Sequence, residues 1–234
     1  MIGAALTAAW LAVAAAPLPD TWGTVTLVRA ADELGLRAFV TGSPRCPTKA
    51  KHCIGLHVHV VEIDGDPVAD ARWMYEDVAH ANELFAEIGV GFTVVDVDAL
   101  PADKAEMDTR RDRDMLGRKL FSRGVVHVFV VRRLADVDVA GEQIRGVHWR
   151  DRADTSRRWV ILSSIGSFTV LAHELGHFFG LPHSSYEVSI MNKTPRLLPT
   201  WPDRVFHENE LTIMRRQRDA MLADGMIRDR KRRR

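Results

Sequence analysis

The stretch His173-Glu174-Leu175-Gly176-His177-Phe178-Phe179-Gly180-Leu181-Pro182-His183 limits what this chain can fold into more than any other part of it. His173 and His177 are four positions apart, so on a helix they stand one turn apart on the same face. Glu174 follows the first of them, close enough to reach a metal-bound water without itself ligating. Gly180 tolerates positive φ and lets the chain leave the helix. The return then brings His183 to a third corner of a tetrahedron. Three imidazoles with the fourth corner left to water are the donor set of a hydrolytic zinc site. The fold must therefore supply a helix, a tight turn after it and a loop that doubles back.

The run fits H-E-x-x-H-x-x-G-x-x-H and so resembles the metzincin clan of zinc endopeptidases. Ser189-Ile190-Met191-Asn192 lies where that clan places its Met-turn, and Ser184, directly after the third His, is similar to the matrixin branch. The resemblance is tight over about residues 173–191 and architectural over about 54–172. It implies a zinc endopeptidase acting on protein or peptide substrates. His173, His177 and His183 are then the ligands of Zn2+, Glu174 the general base, Gly180 the site turn and Met191 the Met-turn methionine. Two other readings stay open: a zinc amidase acting on cell-wall peptides, and a catalytically silent module that zinc only stabilises.

Upstream, the pattern is that of an α+β domain. Residues 56–63 alternate like a half-buried strand, with His57 and His59 on one polar face. Asp64-Gly65-Asp66-Pro67 reads as a turn. Met74, Val78, Ala81, Phe85 and Ile88 repeat at helical spacing up to Gly89. Residues 90–97 read as a strand. The charged stretch 101–122 holds one helix and a loop, with Met115, Leu116 and Leu120 as apolar contacts. Residues 125–131 are an apolar run that suits a strand covered on both faces. Strands follow over 143–149 and 159–163, and Ser167 is the expected N-cap of the motif helix. Asp136 and Asp138 read as solvated loop acids. Past Met191, Pro195, Pro199 and Pro202 interrupt regular structure, and residues 208–224 return to helix ahead of Gly225. The expected architecture is a metzincin-like (zincin) domain: a twisted five-stranded mixed sheet with an antiparallel edge strand, the active-site helix, the Met-turn and a C-terminal helix. By the resemblance, Gly146, Val147, His148 and Trp149 form that edge strand at the rim of the cleft, where an extended peptide could add.

Length and composition set the rest. The chain has 234 residues, 32 Lys+Arg against 31 Asp+Glu, and a formal net charge of +1. No global field points to nucleic acid or to an anionic membrane, and a monomer is expected. Residues 1–18 carry an uncharged, alanine-rich run ending near Ala14-Ala15-Ala16, which reads as a signal peptide and implies a secreted or periplasmic protein. Residues 19–53 form an N-terminal extension or short pro-region with a strand near 24–28, residues 54–227 the catalytic domain and residues 228–234 a solvated basic tail. Export makes a local Cys46–Cys53 disulfide the default. The competing reading is a cysteine switch: Pro44-Arg45-Cys46 is similar to its start in matrixins, and Pro47 then departs from the family's Gly.

Overall fold

The computed structural model describes residues 35–194, 199 and 203–232. The run expected as a signal peptide, the expected strand at 24–28, Pro195, Pro202 and the last two residues lie outside these. The chain runs α1 (Arg37–Thr41), β1 (His52–Ile63), α2 (Ala71–Phe85), β2 (Val90–Leu100), α3 (Arg110–Arg118), β3 (Val126–Val131), β4 (Gly146–Arg150), β5 (Arg158–Ser163), α4 (Val170–Phe178) and α5 (Glu208–Ala223).

The sheet order is β2-β1-β3-β5-β4. The first four strands are parallel and β4 pairs antiparallel with β5, which is the five-stranded mixed sheet expected from the pattern. The two residues Asp66–Pro67 fold back on the end of β1. Helix α2 crosses from β1 to its parallel neighbour β2, and Met74, Val78, Ala81, Phe85 and Ile88 are all buried, as their spacing requires. Strand β1 differs from its half-buried expectation. It lies between β2 and β3 with both faces covered, so only His57 and its last two residues are partly exposed.

Val58, Val60, Val128, Val130, Val160 and Leu162 pack with α2 and α4 in one core cluster. The alternate residues Val61, Phe129, Val131, Trp159 and Ile161 meet Met107, Leu116 and Leu134 in a second cluster, on the opposite sheet face. Of the apolar contacts expected in α3 and the turn after it, only Leu116 is buried; Met115 and Leu120 are exposed. The buried face of α3 instead carries Arg113 and Asp114. Asp114 accepts from Trp149 Nε1 at 2.9 Å and from Arg152 Nε at 2.8 Å. The Arg113 guanidinium lies 5.1 Å from the centroid of the Trp149 ring. Charges buried with partners escape most of the penalty that normally keeps them outside.

Both ends of the described chain pack on this body. Ala38 and Phe39 sit in the main core, and Cys46 and Cys53 are joined as a disulfide. Ser43 Oγ accepts from Val94 N–H at 2.9 Å. Within the expected basic tail, Asp229 accepts from Cys53 N–H at 3.0 Å and meets His52 Nδ1 at 3.0 Å. No helix among the described residues is long and apolar enough to cross a membrane.

Candidate metal centre

Helix α4 carries His173, Glu174 and His177. It begins at Val170, and Ser167 does not cap it; the Ser167 hydroxyl lies 2.9 Å from that of Thr169. The first-turn N–H of Leu171 donates instead to Asp77 Oδ1 of α2 at 3.1 Å. A carboxyl from the neighbouring helix thus satisfies a donor that the helix cannot satisfy itself. Burial pushes Asp77 up to about 8. At the far end, Gly180 N–H donates to His177 O and Leu181 N–H to Gly176 O, each at 3.0 Å. With Gly180 at φ 92° this is a Schellman cap. It reverses the chain and returns His183 to the helix.

The three imidazoles converge. Ring centroids are 4.8 Å apart for His173 and His177, 5.4 Å for His173 and His183, and 4.7 Å for His177 and His183. His177 Nε2 and His183 Nε2 are 3.3 Å apart, close to the edge of about 3.3 Å in a tetrahedron with zinc–nitrogen bonds of about 2.0–2.1 Å. His173 Nδ1–H donates to Ile190 O and His177 Nδ1–H to Leu181 O, each at 2.7 Å. Those bonds fix the tautomer that leaves each Nε2 lone pair free for a metal. Burial holds all three rings below their ordinary value, His173 at about 4, so they are neutral, as ligands must be. The donor set fits a zinc ion.

Glu174 is buried and lines the same cleft, of about 1100 Å³, with the three imidazoles and β4. Its Oε2 accepts from His148 N–H in β4 at 2.6 Å. Burial pushes the carboxyl up to about 8. Met191 is fully buried beneath the helix. A Cβ at Gly176 would stand 2.5 Å from Met191 Sδ, so helix and thioether approach as only glycine allows. Ser189 Oγ accepts from Met191 N–H at 2.9 Å and donates to Glu210 of α5 at 2.7 Å, which ties this turn to the C-terminal helix.

The structure thus brings His173, Glu174, His177, His183, Gly180 and Gly146–Arg150 of β4 around one cleft, with Met191 packed beneath the helix. Cys46 is held in the disulfide rather than as the free thiol a switch needs. Asp138 pairs with Arg110, and Asp136 accepts from Asp138 N–H at 2.8 Å. His57 and His59 do not form a solvated polar face. Strand β1 is central, and His59 is fully buried against His127 of β3. The sequence reading missed Asp77, Arg113 and His127. For His127 the signal was a polar residue inside an apolar run; Arg113 gave none, since it lies among charged residues.

Residues 130–203 match the matrixin family. No curated protein matches the chain in sequence. Among solved structures, the chain is similar to archaemetzincin from Methanopyrus kandleri, with 15% identity, a TM-score of 0.48, and 74% of this chain and 98% of that one covered. It is also similar to a mutant of promirolysin from Tannerella forsythia, with 10% identity, a TM-score of 0.47, and 86% and 89% covered. A third is metalloproteinase-II from Bacteroides fragilis, with 10% identity, a TM-score of 0.47, and 82% of this chain and 60% of that one covered.

Proposed function

We propose that this chain, a zinc metallopeptidase by its matrixin-like segment and the α+β fold that presents it, is an exported endopeptidase that hydrolyses protein or peptide chains. His173, His177 and His183 hold the zinc, and Glu174 is the general base. The observation that carries this reading is the convergence of three neutral imidazoles, two with their Nδ1 hydrogens pinned to backbone carbonyls, in one cleft with a buried carboxyl.

When bound, zinc supplies Lewis acidity, polarising the scissile carbonyl and bringing the attacking water's pKa to about 7. Glu174 then takes the water's proton and returns it to the leaving amine, base first and acid second. Strand β4, at the sheet edge, aligns an extended substrate by strand addition through Gly146, Val147, His148 and Trp149. The His148 N–H bond to Glu174 couples that strand to the proton carrier. Met191 and its Ser189–Glu210 anchor give the ligand helix a rigid floor. Export is supported by the uncharged leader of residues 2–18 and by the disulfide, which suits an oxidising compartment. The packing of Phe39 and the disulfide favours retention of residues 35–53 in the mature protein.

A digest of casein and of a fluorogenic peptide, with and without chelator, tests the reading. Chelator-sensitive cleavage that zinc restores is expected. Cleavage confined to cell-wall fragments would favour the amidase, and a zinc-loaded chain that cleaves neither would favour a binding module.

A further inference from the structure

A second trio of imidazoles lies outside the matrixin-like segment, at His57 and His59 of β1 and His127 of β3. His57 and His59 share one face of β1, and His127 is the register partner of His57. The residue alternation puts them on the face that carries Val61 and Phe129, opposite α2 and α4. Their ring centroids are 4.2, 5.2 and 5.2 Å apart. The trio of the α4 cleft, at 4.8, 5.4 and 4.7 Å, is spaced in the same way. Each of the three rings offers a nitrogen within 4.8 Å of the others.

The remaining nitrogens are held as ligand imidazoles are held. His57 Nε2 lies 2.9 Å from Asp98 Oδ2 on β2, and His127 Nε2 lies against Ser122, taking its N–H at 2.9 Å with the hydroxyl at 3.1 Å and the carbonyl at 3.2 Å. A carboxylate partner such as Asp98 orients metal-bound rings. His59 Nε2 and His127 Nδ1 face each other at 2.9 Å and can share one proton. His59 Nδ1 is then left buried and without a hydrogen bond, although Asp98 Oδ2 stands 3.3 Å away. A buried nitrogen in that state is costly. Burial holds His59 near 3 and His127 near 4, so both rings are neutral and able to ligate. Phe129 stacks on His59 at 4.5 Å and dries the site.

We propose that His57, His59 and His127 bind a second divalent ion of the zinc class, with Asp98 as the orienting carboxylate, and that this ion clamps β2, β1 and β3 together. Imidazole-rich donor sets select such ions over magnesium or calcium. None of the four residues lies in the α4 cleft, so the site stands whether or not the chain is a peptidase.

The test uses the untagged full-length chain with His173→Ala, His177→Ala and His183→Ala combined, titrated with Co(II) and followed by visible absorption, with zinc counted by elemental analysis after desalting. One equivalent per chain is expected, against two in the unaltered chain. Adding His57→Gln should abolish the remaining equivalent, and Asp98→Asn should weaken it roughly 10- to 100-fold. No binding by the triple variant, or one equivalent that survives His57→Gln, overturns the proposal. Should the triple variant not fold, the unaltered chain decides. Two equivalents falling to one on His57→Gln with His127→Gln support the site, and one equivalent unmoved by those changes refutes it.

Discussion

Gly176 shows how little tolerance helix α4 has. It lies between the two histidines of α4, and any side chain there points at the Met191 thioether, 2.5 Å from where a Cβ would stand, with Phe206 at 3.1 Å. Sulfur is soft, but Met191 is fully buried and the turn that carries it is pinned by Ser189 and Glu210. Gly176→Ala should therefore cost about 1–3 kcal/mol, the usual penalty of overpacking a core, read as a lowered urea midpoint. A midpoint at or above that of the unaltered protein would contradict the packing described. The convergence of the three imidazoles was legible because their spacing is local: four residues along a helix, then a turn at Gly180. The partners that hold them were not. The bond from His148 N–H to Glu174 spans 26 residues, and that from Leu171 to Asp77 spans 94. Only the folded chain brings those pairs together.

At the scale of elements, α4 depends on α2 for its beginning. The Asp77 carboxyl is buried, takes the Leu171 N–H and titrates at about 8 rather than 3.8. A raised folded-state value means that the folded chain keeps the proton when the unfolded chain has lost it. The contribution to stability is full below about pH 4, declines as pH rises and is lost by about pH 8. Glu174 titrates in the same window, so the readout is a difference between proteins. Asp77→Asn keeps an acceptor oxygen and removes the titration. Relative to the unaltered chain it should gain stability steadily between pH 4 and 8 and then level off, measured as urea midpoints across that range. A difference that stays constant with pH would rule this out. The helical repeat of α2 was readable because its inward residues are apolar. The inward face of α3 was not, since it uses Arg113 and Asp114 with distant partners, and polarity alone says they face water.

Across the whole molecule, the two ends of the described chain meet on β1. The disulfide closes a loop with a sequence separation of 7. Loop-closure entropy for so small a loop gives about 2–3 kcal/mol. Cys46→Ser with Cys53→Ser should lower stability by that order and leave the turnover of folded protein unchanged, read by calorimetry beside a peptide assay. A rise in activity would revive the cysteine switch. The five strands followed from the sequence pattern because covered strands are largely apolar. The packing of residues 35–53 and of Asp229 did not, because loops and charged termini carry no periodicity. The most direct test of the central claim pairs one substitution with two readings, namely zinc content and peptide-cleavage rate of Glu174→Gln. Full zinc with a rate lowered by about 100-fold or more is the expected outcome. Full zinc with near-normal cleavage would mean that Glu174 moves no proton, and the assignment would fall.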